Sequence, residues 1–201
     1  MRLLVPFDSH DPKTRLRPFL SSGECQAFAR ALLTDVTDAI ASTGHTPEIL
    51  STSPIDSQWP VTVDDRPLTL AVNSALEQTS GPVAVIMADL GLATPAAINR
   101  IFESTADIVL VPGRRGGTNA FLTRESDFRV DYHEASIVDH RLAAEQTGST
   151  YTEVDSFRLS TDIDERDDLI EVLLHTDGAA AQWLQDHGFA LQRSQGVSIH
   201  R

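Results

Sequence analysis

The stretch 82–92, PVAVIMADLGL, constrains this chain more than any other. Val83, Ala84, Val85, Ile86 and Met87 form an unbroken apolar run behind Gly81 and Pro82, the pattern of a strand buried on both faces rather than an alternating surface strand. Such a strand belongs at the centre of a parallel sheet in an α/β fold. The run ends on Asp89, which then emerges at the carboxyl edge of the sheet, where open α/β folds place their ligands. A plainer alternative has Asp89 only starting the turn before the next helix. What else gathers at that edge decides between the two.

With 201 residues and 41% hydrophobic content, one substantial core and a single domain over 1–201 are expected, with 178–201 as a C-terminal extension. No apolar run approaches the roughly 20 residues needed to cross a bilayer. The apolar piece 3–7 is too short for a signal peptide, and the lone Cys25 excludes an intrachain disulfide and a thiolate zinc cluster. A cytoplasmic protein with no membrane partner is the expectation.

Charge says more. Twenty-nine acidic residues face 16 basic ones, of which only Lys13 is a lysine, and the net charge is -13. A surface this acidic repels itself unless salt shortens the Debye length to about 3 Å, its value near 1 M. A halophile is expected; the alternative is an acidic mesophilic protein with few lysines through genomic bias. The unfolding midpoint should rise from low to molar KCl, and a midpoint that does not rise removes the halophile reading. The acid excess also argues against nucleic acid as a partner.

The segment 2–7, RLLVPF, reads as the first strand, and the loop 8–18 after it collects Lys13, Arg15 and Arg17. Three cations there suggest an anion site at the edge shared with Asp89, the alternative being a solvated loop that balances neighbouring acids. Ser21 and Glu24 fit a capping box, and Phe28, Leu32, Val36 and Ile40 then recur every four residues, predicting a core-packed helix. Short strands are expected at 48–51 and 61–63, and a helix over 67–78 that turns Leu68, Val72, Ala75 and Leu76 inward. Thr94 caps the helix after Asp89, with Pro95 at its first position.

A second buried strand, 106–111, runs into PGRRGGTN at 112–119, a composition suited to a backbone that closes around phosphate oxygens, or to a glycine-rich hairpin turn. It is not a P-loop, since no Gly-Lys-Ser/Thr tripeptide is present. Strands are expected at 120–123 and 128–132, and a helix over 136–146. His133 and His140 lack a persuasive metal-pair spacing and read as surface or core histidines. Asp162 and Asp164 precede a helix over 165–175, and in an extended segment both face one side, where they repel unless a cation intervenes. An acidic helix N-terminus accounts better for Asp167 and Asp168. The apolar tail covers the core or a partner subunit, so a homodimer is one expectation.

Strand, cationic loop, Asp89 strand, glycine loop and Asp-x-Asp together resemble the GT-A-like nucleotidyltransferases. These are α/β, single-domain and Rossmann-like, with a mostly parallel central sheet flanked by helices. Within that group PKTRL (12–16), MADL (87–90), GGTNAFL (116–122), the spacing of Tyr132, Ser136 and His140, and DIDERDDL (162–169) resemble the 2-phospho-L-lactate guanylyltransferase family. The resemblance spans roughly residues 1–175, and the combination rather than any one motif is specific. It implies transfer of GMP from GTP to 2-phospho-L-lactate, giving lactyl-2-diphospho-5'-guanosine and pyrophosphate on the way to coenzyme F(420). Bacterial relatives use phosphoenolpyruvate.

The same resemblance implies that Asp89, Asp162 and Asp164 hold Mg²⁺, or Mn²⁺ in its place. It assigns Lys13 and Arg15 to the triphosphate, with Lys13, Asp89 and Asp162 as the catalytic group. Thr118, Ser136 and the amides of Gly116 and Gly117 receive the phosphoacid, and Asn73 contacts guanine. Two departures stand out. His133 and Glu134 replace the family's glycine-proline pair, so Ser136 is a less secure ligand than Thr118, and Leu90 and Gly91 replace a proline-leucine pair. A molybdopterin or sugar phosphate as acceptor is disfavoured because Phe7-Asp8, without a glycine, follows the first strand. A non-catalytic nucleotide-binding module would tolerate loss of the acids, which are all present.

Overall fold

The computed structural model describes residues 1–193 and 196–201. Seven strands form the main sheet: β1 (Arg2–Phe7), β2 (Glu48–Ser51), β3 (Val61–Val63), β4 (Val83–Ile86), β5 (Ile108–Pro112), β6 (Thr118–Thr123) and β7 (Tyr151–Glu153). Their order is β3-β2-β1-β4-β6-β5-β7. All neighbouring strands pair in parallel except β6, which runs antiparallel to both β4 and β5. The apolar run forms β4, buried at every position, with Val85 opposite Leu4 on one side and Phe121 on the other. Because β6 runs backwards, its first residues, Thr118 and Asn119, lie at the edge where β1, β4 and β5 end.

Alternation along the strands divides the core into two layers. Val5, Ile86 and Val111 face Leu33, Val36 and Ile40 of α1 (Ser22–Ala41) and Ile98 of α3 (Pro95–Phe102). On the opposite face Leu4, Val85, Leu110 and Phe121 meet Val72 of α2 (Leu68–Glu77) and Ile137 of α4 (Ser136–Thr147). The capping box of α1 forms as expected: Ser21 Oγ accepts from the Glu24 amide and Glu24 Oε2 from the Ser21 amide. Thr94 likewise caps α3, with Pro95 in its first turn.

A third cluster joins Phe28 and Leu32 of α1 to Leu169 and Val172 of α6 (Asp168–His175) and Leu184 of α7 (Ala179–Asp186). Phe189 and Ile199 complete it, the latter from β9 (Val197–His200) of the β8 (Ala190–Arg193) and β9 hairpin. The tail therefore packs on its own chain, with the Asp35 carboxylate accepting from the amides of Ala179 and Ala180 at the start of α7. Most of its apolar residues are taken up by this packing, while Val197 stays exposed. No described helix is long and apolar enough to cross a membrane.

Two local expectations change, and two short elements are added. Segment 128–132 is not a strand, because side chains rather than a neighbouring strand satisfy its backbone: Val130 pairs with Asn73, the Asp131 amide donates to His140 Nε2 and the Tyr132 amide to Thr69 Oγ1. The helix expected from 165 starts at Asp168. Strand β7 and the single turn α5 (Phe157–Ser160) carry too little periodicity to be foreseen.

Candidate active site

The loop after β1 brings the only lysine to the sheet edge. Lys13 adopts the left-handed conformation at φ 57, uncommon for a side chain with a Cβ, just ahead of a short 3-10 helix anchored by the buried Leu16. Its ammonium donates to Asp89 Oδ2 at 2.9 Å and to Asp164 Oδ1 at 2.8 Å, with 8% of the side chain exposed. Arg15 Nη1 reaches Asp164 Oδ2 at 3.2 Å from the solvent side. Three segments far apart in sequence thus meet on one cation.

Backbone bonds hold the acids there. The Ile163 amide donates to Asp89 O at 3.1 Å, stitching the acid segment to the end of β4. Asn119 Nδ2 donates to Leu159 O at 3.0 Å and the Arg114 amide to Ser160 O at 3.0 Å, so β6 and the glycine hairpin brace the same segment. Gly91 belongs to this packing as well, since a Cβ there would lie 2.4 Å from Leu32 Cδ2 and the leucine tip would have to shift.

Electrostatics follow the geometry. Burial alone would lower the Lys13 pKa, but the charges of Asp89 and Asp164 outweigh it and raise it. Burial would raise Asp164, yet Lys13 holds it below the usual carboxylate range. Asp162 lacks that ammonium, and burial followed by the charges of Asp89 and Asp164 pushes it up. Among the described residues no three His, Cys, Asp or Glu side chains are arranged as a preformed metal site. The donor set still fits a hard divalent cation: Asp89 Oδ1 is buried without a hydrogen-bond partner, and Asp162 faces two repelling carboxylates.

The segment 113–117 is indeed a hairpin, closed by Gly113 N to Gly117 O at 2.8 Å and by Gly116 at φ 84. The β5-β6 reversal puts that turn at the ligand edge. Behind it Thr118 and Ser136 meet: the Thr118 amide donates to Ser136 Oγ at 3.0 Å, and the two side chains are almost wholly buried. His140 Nε2 accepts from the Asp131 amide, so the ring proton is on Nδ1 and is donated to Thr118 Oγ1 at 2.8 Å. The histidine is a core residue, as one of the sequence readings had it, and neither Thr118 nor Ser136 lines the cavity that holds Lys13 and Asp89.

Burial depresses the His140 pKa from 6.5 to about 4, against the opposing charges of Asp139 and Asp131. A depressed histidine contributes stability above its unfolded pKa and loses it as the pH falls toward the folded one. In urea unfolding at constant KCl, the advantage of wild type over His140→Gln should shrink by about 3 kcal/mol between pH 6.5 and 4. A constant gap would show that His140 does not titrate in that window.

Asn73 is placed differently from expectation. Both ends of its amide are closed on Val130, at 2.9 Å each, and α2 instead presents Leu68 and Ala71 to a cavity of about 470 Å³. That cavity shares Pro6, Phe7, Asp8 and Met87 with the cavity of about 240 Å³ that contains Lys13, Asp89 and Asp164. Asn119 and Asp168 stand inside the glycine and acidic motifs, yet Asn119 has no mark of its role in the sequence and Asp168 reads there only as an acidic helix start.

A mostly parallel sheet with one reversed strand, acids from two segments and a lysine from the first loop define a GT-A-like nucleotidyltransferase. Solved structures of the same fold include a putative nucleotide-diphospho-sugar transferase from Desulfovibrio desulfuricans G20. It is 14% identical, covers 93% of this chain and 96% of its own, and has a TM-score of 0.77. The chain matches the guanylyl transferase CofC-like family over residues 1–201, and it belongs to that family. It is 56% identical to 2-phospho-L-lactate guanylyltransferase of Halomicrobium mukohataei, over 98% of this chain and 97% of that one. Identity to the enzyme of the same name from Haloferax volcanii is 51%, over 98% and 96%. These haloarchaeal relatives agree with the salt adaptation read from the charge balance.

Proposed function

We propose that the chain transfers GMP from GTP to 2-phospho-L-lactate, forming lactyl-2-diphospho-5'-guanosine and pyrophosphate in coenzyme F(420) biosynthesis. The observation that carries the reading is the meeting of Lys13, Asp89, Asp162 and Asp164 at one sheet edge, in a chain about half identical to guanylyltransferases over nearly its whole length. An oxygen of the phospholactate phosphate attacks the α-phosphorus of GTP, and the bond to the β-phosphate oxygen breaks. The attacking oxygen is already ionised, so no general base is required, and catalysis is positioning plus charge neutralisation.

Lys13 and Arg15 supply the cations for the triphosphate and the departing pyrophosphate, a role supported by their position beside Asp89 and Asp164. The larger cavity, apolar along Leu50, Leu68, Ala71 and Met87 with Asp64 and Asp65 at its border, takes the guanosine. The hairpin amides of Gly116 and Gly117, with Thr118 and then Ser136 behind them, receive the phosphoacid; the Gly116 amide, which donates to Gly113 O at 3.1 Å, and the buried Thr118 and Ser136 become available only if the turn opens. Asp89, Asp162 and Asp164 would hold Mg²⁺, or Mn²⁺, whose contribution when bound is neutralisation of charge on the α-phosphate and the incoming oxygen.

Pyrophosphate release tests this directly, with GTP and 2-phospho-L-lactate, with and without Mg²⁺, and with phosphoenolpyruvate as a second acceptor. The expected result is metal-dependent release and a guanylylated phospholactate by mass. Release with phosphoenolpyruvate alone would correct the acceptor, and no release with either acid would overturn the reading.

A further inference from the structure

Asp168 has one of the most buried carboxylates among the described residues, with 4% of its side chain exposed, and it does not line the cavity that holds Lys13, Asp89 and Asp164. Its Oδ2 accepts from the backbone amides of Asp164 at 3.0 Å and Glu165 at 2.8 Å; its Oδ1 accepts from Arg114 Nη2 at 2.7 Å. Arg114 belongs to the glycine hairpin, and its own amide donates to Ser160 O. One carboxylate therefore ties the hairpin to the segment that carries Asp162 and Asp164.

This exceeds what a helix terminus needs. Asp168 is the first residue of α6, where an exposed acid would already complement the helix dipole. Here the side chain instead reaches back to amides outside the helix and draws in an arginine from another strand connection. Charge-assisted bonds from an arginine and two fixed amides restrict the carboxylate far more than solvent would, and the Asp164 backbone with it.

We infer that Asp168, buckled to Arg114, is a positioning residue for nucleotidyl transfer. It fixes the backbone at Asp164 so that the carboxylates on either side of Ile163 face Asp89 and Lys13. The inference rests on the metal-holding role given to those acids under Proposed function. Its effect is greatest on divalent-cation affinity, because an outer partner that orients a ligand typically changes affinity or rate by about 10- to 100-fold when removed.

The test compares wild type with Asp168→Asn, Arg114→Gln and the double variant. Mn²⁺ binding is followed by its EPR signal on nucleotide-free protein, beside kcat, the KM for GTP and the unfolding midpoint. Asp168→Asn should weaken Mn²⁺ binding by about tenfold or more and lower kcat, with the KM for GTP within about twofold. Arg114→Gln, which keeps both amide bonds, should shift both in the same direction by less. The double variant should be little worse than Asp168→Asn alone, as expected for two groups acting as one unit. Unchanged Mn²⁺ affinity in both single variants, whatever the unfolding midpoint does, would overturn the inference. If Asp168→Asn does not fold, Arg114→Gln alone decides it. Wild type that binds Mn²⁺ but releases no pyrophosphate would instead count against the proposed reaction.

Discussion

Asp89→Asn protein folds and releases pyrophosphate about a thousandfold more slowly than wild type. Two phosphate-bearing reactants must meet, and each pair of unit charges about 4 Å apart at an effective dielectric near 20 repels by about 4 kcal/mol. That is about three decades of rate. In the proposed reaction Asp89 would help to remove this barrier by holding the divalent cation through Oδ1, which is buried and has no hydrogen-bond partner among the described residues, while Oδ2 is held by Lys13. Asparagine preserves the shape and can still present its oxygen to Lys13, but it removes the charge and puts an amide NH₂ where Oδ1 stands. Circular dichroism near that of wild type, with an unfolding stability lower by about 1–3 kcal/mol, should accompany the lost turnover. Near-normal turnover would take Asp89 out of the site.

Lys13→Met also loses activity, and its stability cost is the larger one. The ammonium lies between Asp89 and Asp164, and without it two largely buried carboxylates face each other with only Arg15, on the solvent side of Asp164, paired to either of them among the described residues. Removing one partner of a buried ion pair costs about 3–5 kcal/mol, and the expected loss here is near the lower figure because both acids keep some solvent contact. Adding millimolar Mg²⁺ should recover part of that stability, since a divalent cation neutralises the same oxygens. Turnover should fall by at least about 100-fold even at saturating metal, as when one fixed donor to developing charge is removed. Denaturant unfolding with and without Mg²⁺, together with GTP binding, checks both halves. Unchanged GTP affinity would show that the loop after β1 has been misread. Acid acts on the same cluster: Lys13 holds the Asp164 pKa below its ordinary value, so this stability is complete above the carboxylate range and is lost as the pH falls through it.

Much of the fold was legible because its signals are local. The apolar run of β4, the Ser21 and Glu24 capping box, the four-residue stripe of α1 and the Thr94-Pro95 start of α3 each depend on neighbours a few residues away. The segment 128–132 misled because its alternation resembles a strand, while the partners that satisfy it, Asn73, Thr69 and His140, lie up to 63 residues off. The bonds of Asn73 to Val130 were hidden for the same reason: a polar side chain on a helix carries no local mark of what it will bond. The site divides the same way. Its acids and its lysine were identifiable by motif, but Asp168 looked like an ordinary acidic helix start until Arg114 and two backbone amides were found around it.

By itself the sequence determined the α/β layering, the helix starts, the salt-adapted charge and the identity of the acids and the single lysine, since periodicity, capping chemistry and charge are properties of short stretches. Only the tertiary structure decided that one ammonium joins Asp89 to Asp164 across 74 intervening residues, that the glycine turn reaches the ligand edge and that the tail closes over its own core. Those outcomes depend on the reversal of β6 and on which remote groups meet in a low-dielectric interior, where an unpaired charge is too costly to leave and the partner is chosen by packing.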